Sequence, residues 1–142
     1  MSSGPWTWYA WRCRRQHRHP LPATDEALRH LLARVARRRG RWIVIEGPDG
    51  RFGQAVAARR GQVCVELSDG TGWVVWAMRP VRDNTTRGGE LVRLRGVRGA
   101  APVWTRRWAT WRPGEAAALI AAHLHGLPLP TGVATRRVWS PS

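Results

Sequence analysis

The stretch RWIVIEGPDGRFGQAVAARRGQVCVEL, Arg41 to Leu67, decides how this chain folds. Trp42, Ile43, Val44 and Ile45 are the aromatic and β-branched residues that suit a pleated, half-buried strand. Gly47-Pro48-Asp49-Gly50 follows at once. Proline presets φ and glycine tolerates positive φ, so this tetrapeptide predicts a hairpin. In the returning strand, Arg51 to Ala58, alternation puts Phe52, Gln54 and Val56 on one face and Gly53 and Ala55 on the other. A second reversal at Arg59-Arg60-Gly61 leads into Gln62 to Leu67, where Val63, Val65 and Leu67 alternate with Gln62, Cys64 and Glu66. Three consecutive antiparallel strands follow, the start of a meander.

Beyond them, Ser68-Asp69-Gly70-Thr71-Gly72 closes the third strand and Trp73 to Met78, WVVWAM, reads as a fourth. A polar loop, Asp83 to Gly89, precedes Glu90 to Val97, ELVRLRGV, a fifth. On the N-terminal side, Thr24 can cap a helix, Asp25 and Glu26 sit at its positive end, and Arg37, Arg38 and Arg39 finish it before Gly40. Ala27, Leu28, Leu31, Leu32 and Val35 form one apolar stripe on it, which predicts packing against the sheet. Between Ala101 and Arg112 the tryptophans Trp104, Trp108 and Trp111 fall at helical spacing, with a packing role against the sheet. Pro113 then opens a last helix, GEAAALIAAHLH, that ends at Gly126 before Pro128 and Pro130. The predicted architecture is α+β: an N-terminal helix packed on an antiparallel meander sheet of four to five strands, with a C-terminal helix.

A chain of 142 residues is the size of one domain. Residues 23–130 supply it, residues 1–22 read as a basic, Trp-rich arm, extended or flexible, and residues 131–142 as a tail. No run approaches the roughly 20 apolar residues of a membrane-spanning helix, and the first residues lack the apolar core of a signal peptide. A soluble, unprocessed, cytoplasmic chain is therefore expected. Its two cysteines, Cys13 and Cys64, are far apart and read as reduced thiols.

The net charge of +15 comes from 24 arginines, with no lysine, set against nine acids. Ten tryptophans accompany one tyrosine and one phenylalanine. Arg, Trp, Gly, Pro and Ala have GC-rich codons while Lys, Tyr and Phe do not, so coding bias accounts for part of this pattern. The scarcity of acids escapes that account and points to an anionic partner. Arginine pairs bidentately with phosphate and carboxylate alike, so nucleic acid, anionic lipid and acidic protein all fit.

Catalytic constellations are thin. GPDGRFG, Gly47 to Gly53, lacks the lysine of a phosphate-binding loop, and the hairpin explains its glycines. Cys13, His17 and His19 are zinc-type ligands, but a structural site needs four, and His123 and His125 diverge on a helix end. Cys64 lies mid-strand with no base beside it in sequence. Asp49, Asp69 and Asp83 sit at predicted turns, where turn chemistry accounts for them. Neither enzymatic activity nor a metal or cofactor is expected.

The segments ALRHLLARV (Ala27 to Val35), WIVIE (Trp42 to Glu46), RFGQAVA (Arg51 to Ala57), VCVEL (Val63 to Leu67) and AALIAAHLHGLPLP (Ala117 to Pro130) together resemble the type III secretion chaperone-like fold, in particular the TY-Chap and YbjN-like domains of bacteria. Phe52 and Gln54 match that family's aromatic-x-Gln segment in the second strand, whereas Gly53 replaces a usual β-branched residue and Trp73 to Val97 departs from it. The resemblance implies a non-enzymatic, often dimeric domain that binds a peptide or protein along a sheet face or edge.

The expected function is accordingly a protein- or peptide-binding module, chaperone-like or adaptor-like, whose sheet face carries Trp42, Phe52, Gln54, Val56 and Trp73 and is rimmed by arginines that favour acidic segments. Val63 is counted among its apolar residues. The alternative is nucleic-acid binding by Trp8, Trp11, Arg12, Arg14, Arg15 and Arg18 of the arm with Arg106 and Arg107. Association with anionic membranes through Trp104, Trp108 and Trp111 ranks third.

Overall fold

The computed structural model describes residues 5–10, 17–37, 42–58, 61–71, 74–78, 91–94, 103–106, 110–130 and 132–138. The meander is present: β3 (Trp42–Glu46), β4 (Phe52–Ala57), β5 (Val63–Ser68) and β6 (Val74–Met78) are antiparallel neighbours in chain order. The β3–β4 reversal is tied by Gly47 N–H donating to the Arg51 carbonyl at 2.8 Å, while the Asp49 carboxylate accepts the Arg51 N–H at 3.2 Å. Gly50 adopts φ +89° there, which its lack of a side chain permits. The α+β class with two helices follows as expected.

The sheet is larger than the sequence suggests, with eight strands among the described residues. β1 (Trp6–Ala10) runs antiparallel to β3, and β2 (His19–Leu21) pairs with β1 at the outer edge. The expected arm thus contributes two strands, and Trp6 is buried at 1% exposure. Alternation explains it: Trp6, Trp8 and Ala10 pack on the core side, leaving Thr7 and Tyr9 for the other. The expected tail likewise supplies β10 (Ala134–Val138), which pairs with β6 at the opposite edge.

The segment after Ala101 differs from its helical expectation. It forms β8 (Val103–Arg106) and β9 (Thr110–Trp111). Val103, Thr105 and the tryptophans are good strand formers, and β9 finds a partner in the free edge of β5, with Trp111 opposite Val63 and Thr110 opposite Cys64. That edge of β5 is shared, since β6 takes only Glu66 to Ser68. The fifth predicted strand shortens to β7 (Leu91–Leu94) and pairs with β8 in a separate two-stranded sheet instead of extending the meander.

Both helices cover one face. α1 (Asp25–Arg37) is capped by Thr24, whose hydroxyl accepts the Ala27 N–H at 3.2 Å. α2 (Pro113–Leu124) starts with proline, and the Glu115 carboxylate accepts the Arg112 N–H at 3.2 Å. Its end is a Schellman turn: Leu127 N–H donates to the Ala122 carbonyl at 2.9 Å, Gly126 N–H to that of His123 at 3.0 Å, and Gly126 takes φ +71°. Leu28, Leu32 and Val35 from α1 and Leu119, Ile120 and Leu124 from α2 close over Ile43, Ile45, Val63, Val65 and Leu67. Each such fully buried side chain contributes about 1.5–3 kcal/mol.

The central strand makes room for them. On β4 the core-facing row is Gly53, Ala55 and Ala57, all buried. A Cβ on Gly53 would stand 3.0 Å from Cγ2 of Ile120, so glycine is there for space and lets α2 approach the sheet closely.

Candidate functional site

The face of the sheet turned away from the helices is built from the other alternation of the same strands. Three cross-strand rows define it. Trp42 lies opposite Val56, Val56 opposite Cys64, and Cys64 opposite Thr110. Tyr9, Val44, Gln54 and Glu66 form the second row, and Thr7, Glu46, Phe52 and Ser68 the third. Phe52, Gln54 and Val56 therefore share this face with Trp42, as the sequence predicts. Val63 does not, for it is fully buried on the helix side. Trp73 lies outside the described residues.

Trp42 is the best-defined side chain of the face. Its indole N–H donates to Oε1 of Gln54 at 2.7 Å, and its ring packs on a small apolar cluster of Val56, Ala58 and Cys64. The indole is thereby held half-exposed, with its polar atom already satisfied within the chain. Phe52, also half-buried, stands in the third row between Glu46 and Ser68. Beside these in the same rows, Val44, Val56 and Cys64 are 4%, 6% and 1% exposed, so the floor between the larger side chains is dry.

Its electrostatics are set where β1 meets β3. Arg18 is ion-paired and hydrogen-bonded to Glu46, and its guanidinium lies 5.0 Å from the Tyr9 ring centroid. Burial first and the Glu46 charge second push the Tyr9 hydroxyl above its ordinary range, while the same carboxylate holds the Arg18 proton still more firmly. Burial, reinforced by Glu66, pushes the Cys64 thiol up to about 12. A thiol in that state is neutral at physiological pH and is not a nucleophile.

Of the residues of the alternative reading, Trp8, Arg18 and Arg106 lie among the described ones. Trp8 packs against the core on the helix side and meets the His19 ring at 4.6 Å, and Arg18 is occupied by Glu46. Trp11, Arg12, Arg14, Arg15 and Arg107 lie outside the described residues, as do Trp108 and Cys13; Arg106 and Trp104 stand in β8. Of the histidines weighed as zinc ligands, His123 bonds through Nε2 to the Ser68 carbonyl at 2.6 Å and His125 meets the Trp6 ring at 5.0 Å. Among the described residues no group of three or more His, Cys, Asp or Glu is placed to hold a metal ion. Asp49 and Asp69 do turn work, Asp69 accepting the Thr71 hydroxyl and also its N–H at 2.9 Å, which together lower its pKa. Asp83 lies outside the described residues.

Sequence reasoning missed the Tyr9, Arg18 and Glu46 group, because the arm's aromatic and basic blocks hid the period of two in WTWYA. It also missed Gln62, whose side-chain carbonyl accepts the Thr110 hydroxyl. No helix among the described residues is long and apolar enough to cross a membrane. The chain matches no protein-family model, no curated protein and no solved structure.

Proposed function

We propose that this chain is a non-enzymatic protein- or peptide-binding module, chaperone-like or adaptor-like, that takes an acidic segment across the helix-free face of its sheet. The observation carrying this reading is the Trp42–Gln54 pair. An indole fixed by a 2.7 Å hydrogen bond above a dry floor, with Phe52 in an adjacent row, is a pre-ordered aromatic anchor of the kind that dominates binding energy at interfaces. The excess of 24 arginines over nine acids supports an acidic partner. Trp73 and a second copy of the chain remain part of this proposal as a further anchor and an alternative occupant. The resemblance to type III secretion chaperone-like domains and a cytoplasmic setting belong to the same reading.

Nucleic-acid binding by the arm is less well supported, since Trp8 and Arg18 already have partners within the chain. Selection of displayed random peptides against the whole protein tests the choice. Enriched sequences should combine Asp or Glu with an aromatic or aliphatic residue and lose binding to the Phe52→Ala and Trp42→Ala variants. Failure to enrich, or binding indifferent to both substitutions, would sink the proposal.

A further inference from the structure

A second charged surface lies on the other side of the molecule. The apolar stripe of α1 is consumed by the core, Leu28, Leu32 and Val35 being fully buried. Its outer face carries Arg29, Arg34 and Arg37, all exposed. Among the described residues no carboxylate lies within ion-pairing distance of these three, and Glu26 is turned to His30 at 3.8 Å. At 1.5 Å per residue the three arginine positions span about 12 Å along the helix axis. The Arg29 side chain runs past the start of α2 at Gly114.

We propose that this outer face of α1 is a docking surface for the phosphate backbone of nucleic acid. A protein partner would need aromatic or aliphatic anchors at the centre of its footprint, and the exposed residues between Asp25 and Arg37 include no such side chain. A membrane would need an apolar face free to insert, and the core occupies it. A polyphosphate chain binds through charge and bidentate hydrogen bonds alone, which is what unpaired arginines on a fixed helix offer. This surface is separate from the helix-free face, and either proposal stands without the other.

The test is fluorescence anisotropy of the whole protein with a labelled duplex of about 16 base pairs and a single strand of the same length, each over a salt series. Arg29→Gln/Arg34→Gln/Arg37→Gln should weaken duplex binding about tenfold or more and flatten the log–log salt slope by about 2 to 3, or about 2 for the single strand. Arg12→Gln/Arg14→Gln/Arg15→Gln removes the same charge from the arm and should cost clearly less. Arg34→Glu alone, at an exposed position, gives a second reading if the triple variant loses its thermal transition. Equal losses from both triple variants, no binding by the unsubstituted chain, or binding only to phosphatidylserine vesicles would each overturn the proposal.

Discussion

The two faces of β4 carry opposite chemistry, and the bulk is on the side without helices. Toward the helices the row is Gly53, Ala55 and Ala57; away from them it is Phe52, Gln54 and Val56. Hydrophobicity alone would assign the larger residues to the core. The geometry assigns the smaller ones, because two helices contacting each other and the sheet need a shallow floor, and Ile120 fills what Gly53 leaves empty. One face is filled by elements brought to it; the other holds Trp42 and Phe52 half-exposed beside the buried Val44 and Val56.

The comparison can be broken most forcefully from the filled side. Leu32→Ala removes a fully buried side chain of α1 and should cost about 3–4 kcal/mol, read as a lowered denaturation midpoint in urea. Gly53→Val should follow at about 2–3 kcal/mol, since its added atoms would stand against Ile120. The double variant Gly53→Val/Ile120→Ala sharpens the point. If the cost of valine is collision with Ile120, the two losses will be less than additive; strict additivity would show that glycine is needed for another reason.

What was legible in the sequence follows the same division. Residues 41–67 state the meander plainly because turn residues and alternation agree there, and parity alone puts Phe52, Gln54 and Val56 on one face, while the register that brings Trp42 opposite Val56 comes from the structure. Thr24 and Gly126 marked helix ends that the hydrogen bonds bear out. Parity says which residues share a face but not which face the helices choose, so Val63 was grouped with the wrong side. The strands at residues 6–10 and 110–111 were illegible for a different reason. Their existence depends on pairing with β3 and β5 across long sequence separations, which no local pattern encodes. Arginine beside tryptophan suggests a free arm or a helix and is silent about that pairing.

The helix-free face makes a pH prediction of its own. The Cys64 thiol, ordinarily near 9.0, is pushed up to about 12 mainly by burial. A group whose folded pKa is raised contributes its stability in full below the unfolded value and loses it as pH climbs from 9.0 toward about 12. Stability should fall by about 1 kcal/mol between roughly pH 8 and pH 10 from this group, and Cys64→Ala should remove that share of the slope. An unchanged slope would mean that the floor beneath Trp42 is wetter than its 1% exposure implies. Trp42→Phe acts on the same cluster. It deletes the donor to Gln54 while keeping an aromatic ring, and should cost about 1 kcal/mol, seen in thermal unfolding.

Phe52→Ala has the smallest expected effect on stability and is the most informative. Phe52 is half-buried, and its register neighbours Glu46 and Ser68 are held by Arg18 and by contacts from His123 and Gly70 that do not involve it. Truncation should therefore shift the unfolding midpoint by no more than about 1 kcal/mol, well below Leu32→Ala. If the same substitution weakens binding of an acidic peptide by about 2 kcal/mol, roughly thirtyfold, the ring is spending its area on a partner and not on the fold. A loss of stability rivalling that of Leu32→Ala would instead place Phe52 in the core, and the distinction between the two faces of β4 would collapse.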